Sequence, residues 1–273
     1  MLSYLLRANA HSFIAENGDV TVGSEEDRVL QIRGSTLWAK LGAVNVYIDE
    51  EEGEFDGMAL TSKQDLKIKA AYIIGSTLIS EEGNVDVTAK KSLGGTTVVS
   101  KHKDVTVDAG RIEANSAIDA IEGSITVTGT DAVIEDTVFN AAKTIDVQDA
   151  DTISNANFRG GEEVTVKANA IDGSTIESDT VTLAGNDSPI TIGADGAVNV
   201  NGAETITLDN VGATNIVSNN TNDVNVNAVN GGDDEVIGIA QNGGDLTVTD
   251  DGTIKIGQIT ADGKVTITAE DDI

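Results

Sequence analysis

The chain has no cysteine and only one proline in 273 residues. Disulfides, thiolate metal centres and cysteine nucleophiles are therefore excluded. Histidine is almost as scarce: His11 and His102 stand alone, outside any metal-like spacing. No Gly-rich phosphate loop, nucleophile elbow or zinc-binding helix motif is present. No apolar run is long enough for a membrane-spanning helix. The opening Met1-Leu2-Ser3-Tyr4-Leu5-Leu6-Arg7 lacks the basic leader and long apolar core of a secretory signal. Cations are few, 17 Lys and Arg against 46 Asp and Glu, and none falls between residues 168 and 254, where fourteen acidic residues lie. A surface of that sign repels nucleic acid and anionic membrane, so neither is expected as a partner.

What is abundant is a rhythm. An apolar-polar-apolar triplet recurs at Leu66-Lys67-Ile68, Val85-Asp86-Val87, Val105-Thr106-Val107, Ile125-Thr126-Val127, Ile145-Asp146-Val147 and Val164-Thr165-Val166. It continues more loosely through Val181, Val198, Val224, Leu246 and Val265. From Leu66 to Val164 the starts are almost evenly spaced. Period-two alternation marks a strand with one buried face, and a fixed period near twenty marks a stack of similar units.

Two further apolar positions follow each regular triplet, as at Ile112 and Ile118, Ile134 and Val138, Ile153 and Phe158, and Ile171 and Ile176. Three apolar clusters per repeat predict an all-β, single-stranded, three-sided parallel β-helix (a β-solenoid) with coils of about 20 residues. Eleven to thirteen layers at roughly 4.8 Å each would give a rod on the order of 55 to 60 Å long. The intervening Gly, Asn, Asp and β-branched residues disfavour helix. Asn-Gly and Asp-Gly pairs, such as Asn201-Gly202 and Asp172-Gly173, mark the bends.

The segment from Ala170 through Asp172-Gly173-Ser174 and Val181-Thr182-Leu183 to Gly185 resembles the repeats of filamentous-haemagglutinin-type exoproteins. That resemblance spans residues 60 to 270 and implies a long, secreted, adhesive shaft. A bactofilin-like intracellular polymer, also a β-helix joined end to end, is the alternative resemblance, and the Met1 start without a signal favours it.

Two regions are expected from this reading. Residues 1–60 form irregular coils, a cap or a subunit interface, because the aromatics gather at this end: Tyr4, Phe13, Trp38, Tyr47, Phe55 and Tyr72 are six of the eight in the chain. Leu30-Gln31-Ile32 and Val44-Asn45-Val46 are the expected strands there. Residues 61–273 form the regular solenoid. Strand edges at its last coil invite another chain, so head-to-tail self-assembly is expected, with Leu2, Tyr4, Leu5 and Leu6 of one copy docking on Val265 and Ile267 of the next. Such a contact does not close and propagates as a filament.

Asp233, Asp234, Glu235, Asp245, Asp250 and Asp251 are the best cluster of hard oxygen ligands, and calcium is the ion they would take. Otherwise no cofactor is expected. Asn220-Thr221-Asn222-Asp223 followed by Asp233-Asp234 superficially resembles the acidic signature of polygalacturonase-like hydrolases, but Asn222 replaces an Asp and the later His and Arg-x-Lys elements are missing. A Thr row through Thr106, Thr126, Thr165, Thr182, Thr247 and Thr266 resembles ice-binding solenoids, interrupted by Asp86, Asp146, Asn199 and Asn225. The expected function is a non-enzymatic structural protein, in an extracellular or cell-surface filament, sheath, surface layer or adhesin shaft. Cell-surface glycans are its outside partner, and a glycan-binding or glycan-cleaving β-helix is the third reading.

Overall fold

The computed structural model describes residues 12–230 and 236–270. These residues are all-β and contain no helix, and the strand pairings are parallel. The chain divides into two compact units, residues 1–142 and 143–273. Each is a three-sided β-solenoid.

In the first unit, one face is built by Val20–Val22, Val44–Tyr47, the front of Leu66–Ile74, the front of Val85–Gly94, Val105–Ala109 and Ile125–Val127. Val20, Val44, Leu66, Val85, Val105 and Ile125 stack in one column. The coils that start at Val20 and Val44 are longer than the three that follow, which keep the regular period. The second face carries Gln31–Arg33, Glu54–Asp56, the ends of the two long strands, Arg111–Glu113 and Ala132–Glu135. The third carries Ser12–Ala15, Thr36–Ala39, Ala59–Ser62, Thr77–Ser80, Thr97–Ser100, Ala117–Ala120 and Val138–Ala141.

Alternation fixes which residues point inward. On the third face, Leu37, Leu60, Leu78, Val98, Ile118 and Phe139 are buried in one column. Each such side chain contributes roughly 1.5–3 kcal/mol when taken out of water, and each completes a layer that its neighbours alone would leave open. Where one coil has an extra residue, the ladder absorbs it: Lys90 and Lys91 bulge out between Ala89 and Ser92.

In the first unit the corner between second and third faces has a left-handed residue in every coil, at Ala114 and Asn115 in the coil of Ile112. Gly34, Gly57, Gly75 and Gly95 supply it with φ of 56, 62, 56 and 57°, and Asp136 does so at 48°. Directly after this bend a buried hydroxyl column ties the coils together. Ser76 Oγ donates to the Ile74 carbonyl at 2.9 Å and accepts from the Met58 amide at 3.2 Å. Thr96 and Ser116 repeat the arrangement. Buried polar groups are thereby satisfied without charge.

The second unit has seven first-face strands: Thr144–Ser154, Glu163–Asp172, Thr180–Ala184, Thr205–Asp209, Val224–Val229, Leu246–Asp250 and Val265–Ala269. Its inward column runs Ile145, Val164, Val181, Ile206, Val226, Val248 and Ile267. The period is less regular here: the coil from Val164 to Val181 is the shortest and the coil from Val181 to Ile206 the longest.

Two triplets sit elsewhere than the periodicity placed them. Val198-Asn199-Val200 lies on the third face, between Thr175–Glu177 and Ile216–Asn219. Ile206-Thr207-Leu208 occupies its expected place on the first face. The cause is the long corner through Asn186 and Pro189, which stretches that coil beyond the usual period and brings a third-face strand to the expected interval. In the first unit, Leu30 lies at a bend before the second-face strand Gln31–Arg33, and the first-face triplet is Val20-Thr21-Val22.

Candidate assembly surfaces and the acidic corner

Each unit has one coil whose outer edges are unpaired among the described residues. In the first unit, Ser12–Ala15, Val20–Val22 and Gln31–Arg33 pair only with the following coil. A hollow of about 340 Å³ opens there, lined by Phe13, Val20, Val22, Val29, Ile32 and Leu37. In the second unit, Lys255–Ala261 and Val265–Ala269 pair only with the preceding coil. Val265 and Ile256 are 38% and 40% exposed there, although both occupy positions that are buried one coil earlier, at Leu246 and Ile237. Leu2, Tyr4, Leu5 and Leu6 lie outside the described residues, as does His11.

Charge differs in degree between these two coils. Glu16, Asp19, Glu25, Glu26 and Asp27 outnumber Arg28 and Arg33 in the first, whereas in the last Lys255 and Lys264, the only cations after Lys167, are matched by Asp262 and Glu270. The first unit offsets part of its acidity locally. Lys69 Nζ donates to Glu25 Oε1 at 2.9 Å, and that hydrogen bond, aided by the charges of Lys69, Lys67 and Arg28, holds Glu25 below the usual carboxylate range. Hydrogen bonds from Arg33 and Gln31 do the same for Glu54. Lys63 is held above the usual lysine value by hydrogen bonds to Glu82 and Glu81. Three ammonium groups also lie over rings: Lys40 over Trp38, Lys67 over Tyr47 and Lys91 over Tyr72, at 5.0, 5.9 and 5.5 Å.

Of the acidic cluster, Asp233, Asp234 and Glu235 fall outside the described residues. Asp245 precedes the strand Leu246–Asp250 and Asp250 ends it, so roughly 16 Å of extended chain separates them. Asp245 Oδ1 accepts from the Lys264 amide at 2.7 Å, and the Asp251 carboxylate accepts from the Asn230 amide at 3.2 Å. Asp250 turns inward. Its Oδ1 accepts from the Gly252 amide at 2.6 Å and its Oδ2 has no hydrogen-bond partner. Among the described residues no three His, Asp or Glu side chains are grouped to hold a metal ion.

The remaining candidates have local roles. Asp223 Oδ1 accepts from the Asp245 amide at 2.9 Å, which occupies the carboxylate of the hydrolase-like signature. His102 Nδ1 lies 2.8 Å from Glu122 Oε2 on the exposed corner one coil on. Thr106 stacks on Thr126, and Thr165 on Thr182, but Lys67 and Asp86 precede Thr106 in the same outward row.

Sequence reading missed a ladder at the corner leading into the first face. Asp19, Asp65, Asn84 and Asp104 each pass a side-chain oxygen to an amide in the next coil, those of Ala43, Asn84, Asp104 and Ser124. Asp223 and Asp245 do so in the second unit. Its signal was visible as Asp or Asn directly before the apolar triplet. A second ladder, Asn242 to Asn219 to Asn201, runs through side-chain amides at 2.9 Å each. Compared with models of protein families, with curated proteins and with solved structures, the chain matches none.

Proposed function

We propose that this chain is a non-enzymatic structural protein whose copies join head to tail, the last coil of the second unit docking on the first coil of the first unit in the next molecule. The observation that carries this reading is the pair of unpaired edge coils. Val265 and Ile267 present the first-face pattern that Val20 and Val22 carry, so stacking one on the other would continue the apolar columns and the parallel ladder. Lys264 and Lys255 would approach the acidic corner around Asp19 and Glu25, and opposite charges steer such encounters. The acidic flanks would discourage lateral clumping.

A filament, sheath or surface layer, or the shaft of an adhesin, is the use that a solenoid of this kind supports. The resemblance to filamentous-haemagglutinin-type repeats supports a place outside the cell, with surface glycans as the partner. A bactofilin-like polymer would use the same end contact, and cell fractionation separates the two locations. A calcium role would fall to Asp250 and Asp251, since Asp245 lies at the other end of the strand Leu246–Asp250.

Negative-stain electron microscopy of the purified chain, with and without calcium, tests the assembly. Long unbranched filaments are expected from the wild type, and short rods from Val265→Lys and Ile267→Lys with an unchanged β spectrum by circular dichroism. Filaments that persist in both variants would remove this end contact. Short rods from the wild type under both conditions would leave the adhesin shaft as the reading.

A further inference from the structure

Within the first unit, the third face differs in charge from the other two. Its outward residues form two columns. One is Ser12, Thr36, Ala59, Thr77, Thr97, Ala117 and Val138; the other is Ile14, Trp38, Thr61, Ile79, Val99, Asp119 and Asn140. Asp119 is the only charge among the fourteen. The first face turns out Lys67, Lys69, Asp86 and Asp108, and the second turns out Arg33, Glu54, Asp56, Arg111, Glu113 and Glu135. Ile14 and Trp38 are 49% and 39% exposed. Nearby charges are locally matched: Lys40 lies over the Trp38 ring and donates to Glu16 at 2.7 Å, and Lys63 pairs with Glu81 and Glu82.

We propose that this face is a lateral interface between two copies of the chain, packed face to face about a two-fold axis parallel to the coil stack. The proposal goes beyond end-to-end joining and does not depend on it. Charge selects the occupant. The chain carries a formal charge of −29, and two copies can approach closely without like-charge repulsion only where both present an uncharged surface. A basic partner would be drawn instead to the second face, where Glu54, Asp56, Glu113 and Glu135 outnumber Arg33 and Arg111.

Shape selects the symmetry. One column is small (Ser, Thr, Ala) up to Val138, and its neighbour is bulkier at Ile14, Trp38, Ile79 and Val99. A two-fold axis along the stack lays the bulky column of each copy over the small column of the other, at equal height, so that the β-branched side chains interdigitate as in a dry sheet interface. An axis parallel to the strands would set bulky on bulky. Four residues at about 3.3 Å by seven strands at about 4.8 Å give on the order of 400 Å² per copy. That is half of the roughly 800 Å² per partner of a stable complex, so the pair is a weak and reversible one.

The test uses the full chain carrying Val265→Lys, which blocks end-to-end growth and keeps the two contacts separable. Sedimentation equilibrium should show a monomer–dimer equilibrium whose dimer fraction rises from about 20 to about 500 mM NaCl as flank repulsion is screened. Adding Thr97→Glu or Ala59→Lys should abolish the dimer with the β spectrum unchanged. Thr106→Glu, outward on the first face, should leave it intact. A spin label on Val138→Cys, the sole cysteine, should report a distance under about 25 Å across the dimer, against more than about 30 Å if the stacks ran antiparallel. A protein that stays monomeric at high salt, or a dimer equally tolerant of Thr97→Glu and Thr106→Glu, would overturn the interface; the longer label distance would overturn its symmetry.

Discussion

Asp104 Oδ1 accepts a hydrogen bond from the Ser124 amide, one coil further along the chain, at 2.9 Å. The contact requires the residue before Ser124 to be small, because a Cβ on Gly123 would overlap the Lys103 carbonyl oxygen and crowd Asp104 Oδ1. Gly42, Gly83, Gly244 and Gly263 meet the preceding coil in the same way. Asp104→Ala should therefore cost about 0.5–1.5 kcal/mol, while Asp104→Asn keeps the acceptor and should stay within about 0.5 kcal/mol of wild type. Gly123→Ala should cost at least about 2 kcal/mol, since backbone must move. Urea denaturation followed by circular dichroism measures all three. Equal losses for the Ala and Asn variants at 104 would remove the ladder.

Gly75 separates conformational strain from crowding. Its φ is +56°, yet nothing lies within 4 Å of the position a Cβ would take. Gly75→Ala should cost only about 1 kcal/mol, distinctly less than Gly123→Ala. Asp136 holds the equivalent bend at φ 48°, and Asp136→Gly should lie within about 0.5 kcal/mol of wild type. The same unfolding curves decide it, and a loss at Gly75 as large as that at Gly123 would show that the corner is sterically closed.

How much of this was legible follows from what each part depends on. The fold was legible because stacked coils repeat one buried pattern, so Val85, Val105 and Ile125 announce their column without any distant information. Val198 was misplaced because a third-face strand carries the same alternation as a first-face strand, and only the length of the corner through Asn186 and Pro189 tells them apart. The edge coil at Val265 was visible as the last member of the series. The uncharged face was not seen, since Thr36, Thr77 and Thr97 fall between the triplets that drew attention, and their meaning comes from what neighbouring coils place beside them. Asp250 read as a surface acid because its neighbour Asp251 is one; the inward turn is set by alternation from Leu246 and Val248.

Asp86 gives the molecule a pH signature. Crowding by neighbouring rows raises its pKa, the charge of Asp65 raises it further, and Lys67 opposes both. The folded chain thus holds this proton more tightly than the unfolded chain does. Its contribution to stability is greatest below the ordinary aspartate value, about 3.9, and is lost as pH rises through the raised value. At pH 7 the carboxylate is a net cost. Because the side chain reaches solvent, the effect is screened: Asp86→Asn should raise Tm at pH 7 by about 1–2 °C, with the advantage shrinking towards pH 4. An advantage that instead grows on acidification would contradict the sign.

Phe158 tests whether the second unit depends on its interior columns. The ring is fully buried and stacks on Ile176. Phe158→Ala removes a large side chain from a space that neighbouring coils, held by their ladders, cannot collapse into, so a loss of about 3–5 kcal/mol is expected. A loss below about 1 kcal/mol would mean that the coil relaxes around the gap. Guanidinium unfolding followed by far-ultraviolet circular dichroism measures it.

Asp250 is the most exacting case. In its inward column the other coils place Val147, Val166, Leu183, Leu208, Ala228 and Ala269. Asp250 is 3% exposed, with one oxygen on the Gly252 amide and the other without a partner. A buried carboxylate half-satisfied in this way costs stability. Asp250→Asn keeps the acceptor for Gly252 and removes the charge, so it should stabilise the chain by about 1–2 kcal/mol at pH 7. Thermal melts with and without millimolar calcium separate this from coordination. Under the structural account both proteins melt at temperatures indifferent to calcium, with the variant higher. A wild-type melting temperature that climbs with calcium, and a variant that neither climbs nor starts higher, would instead assign the inward carboxylate to a bound ion.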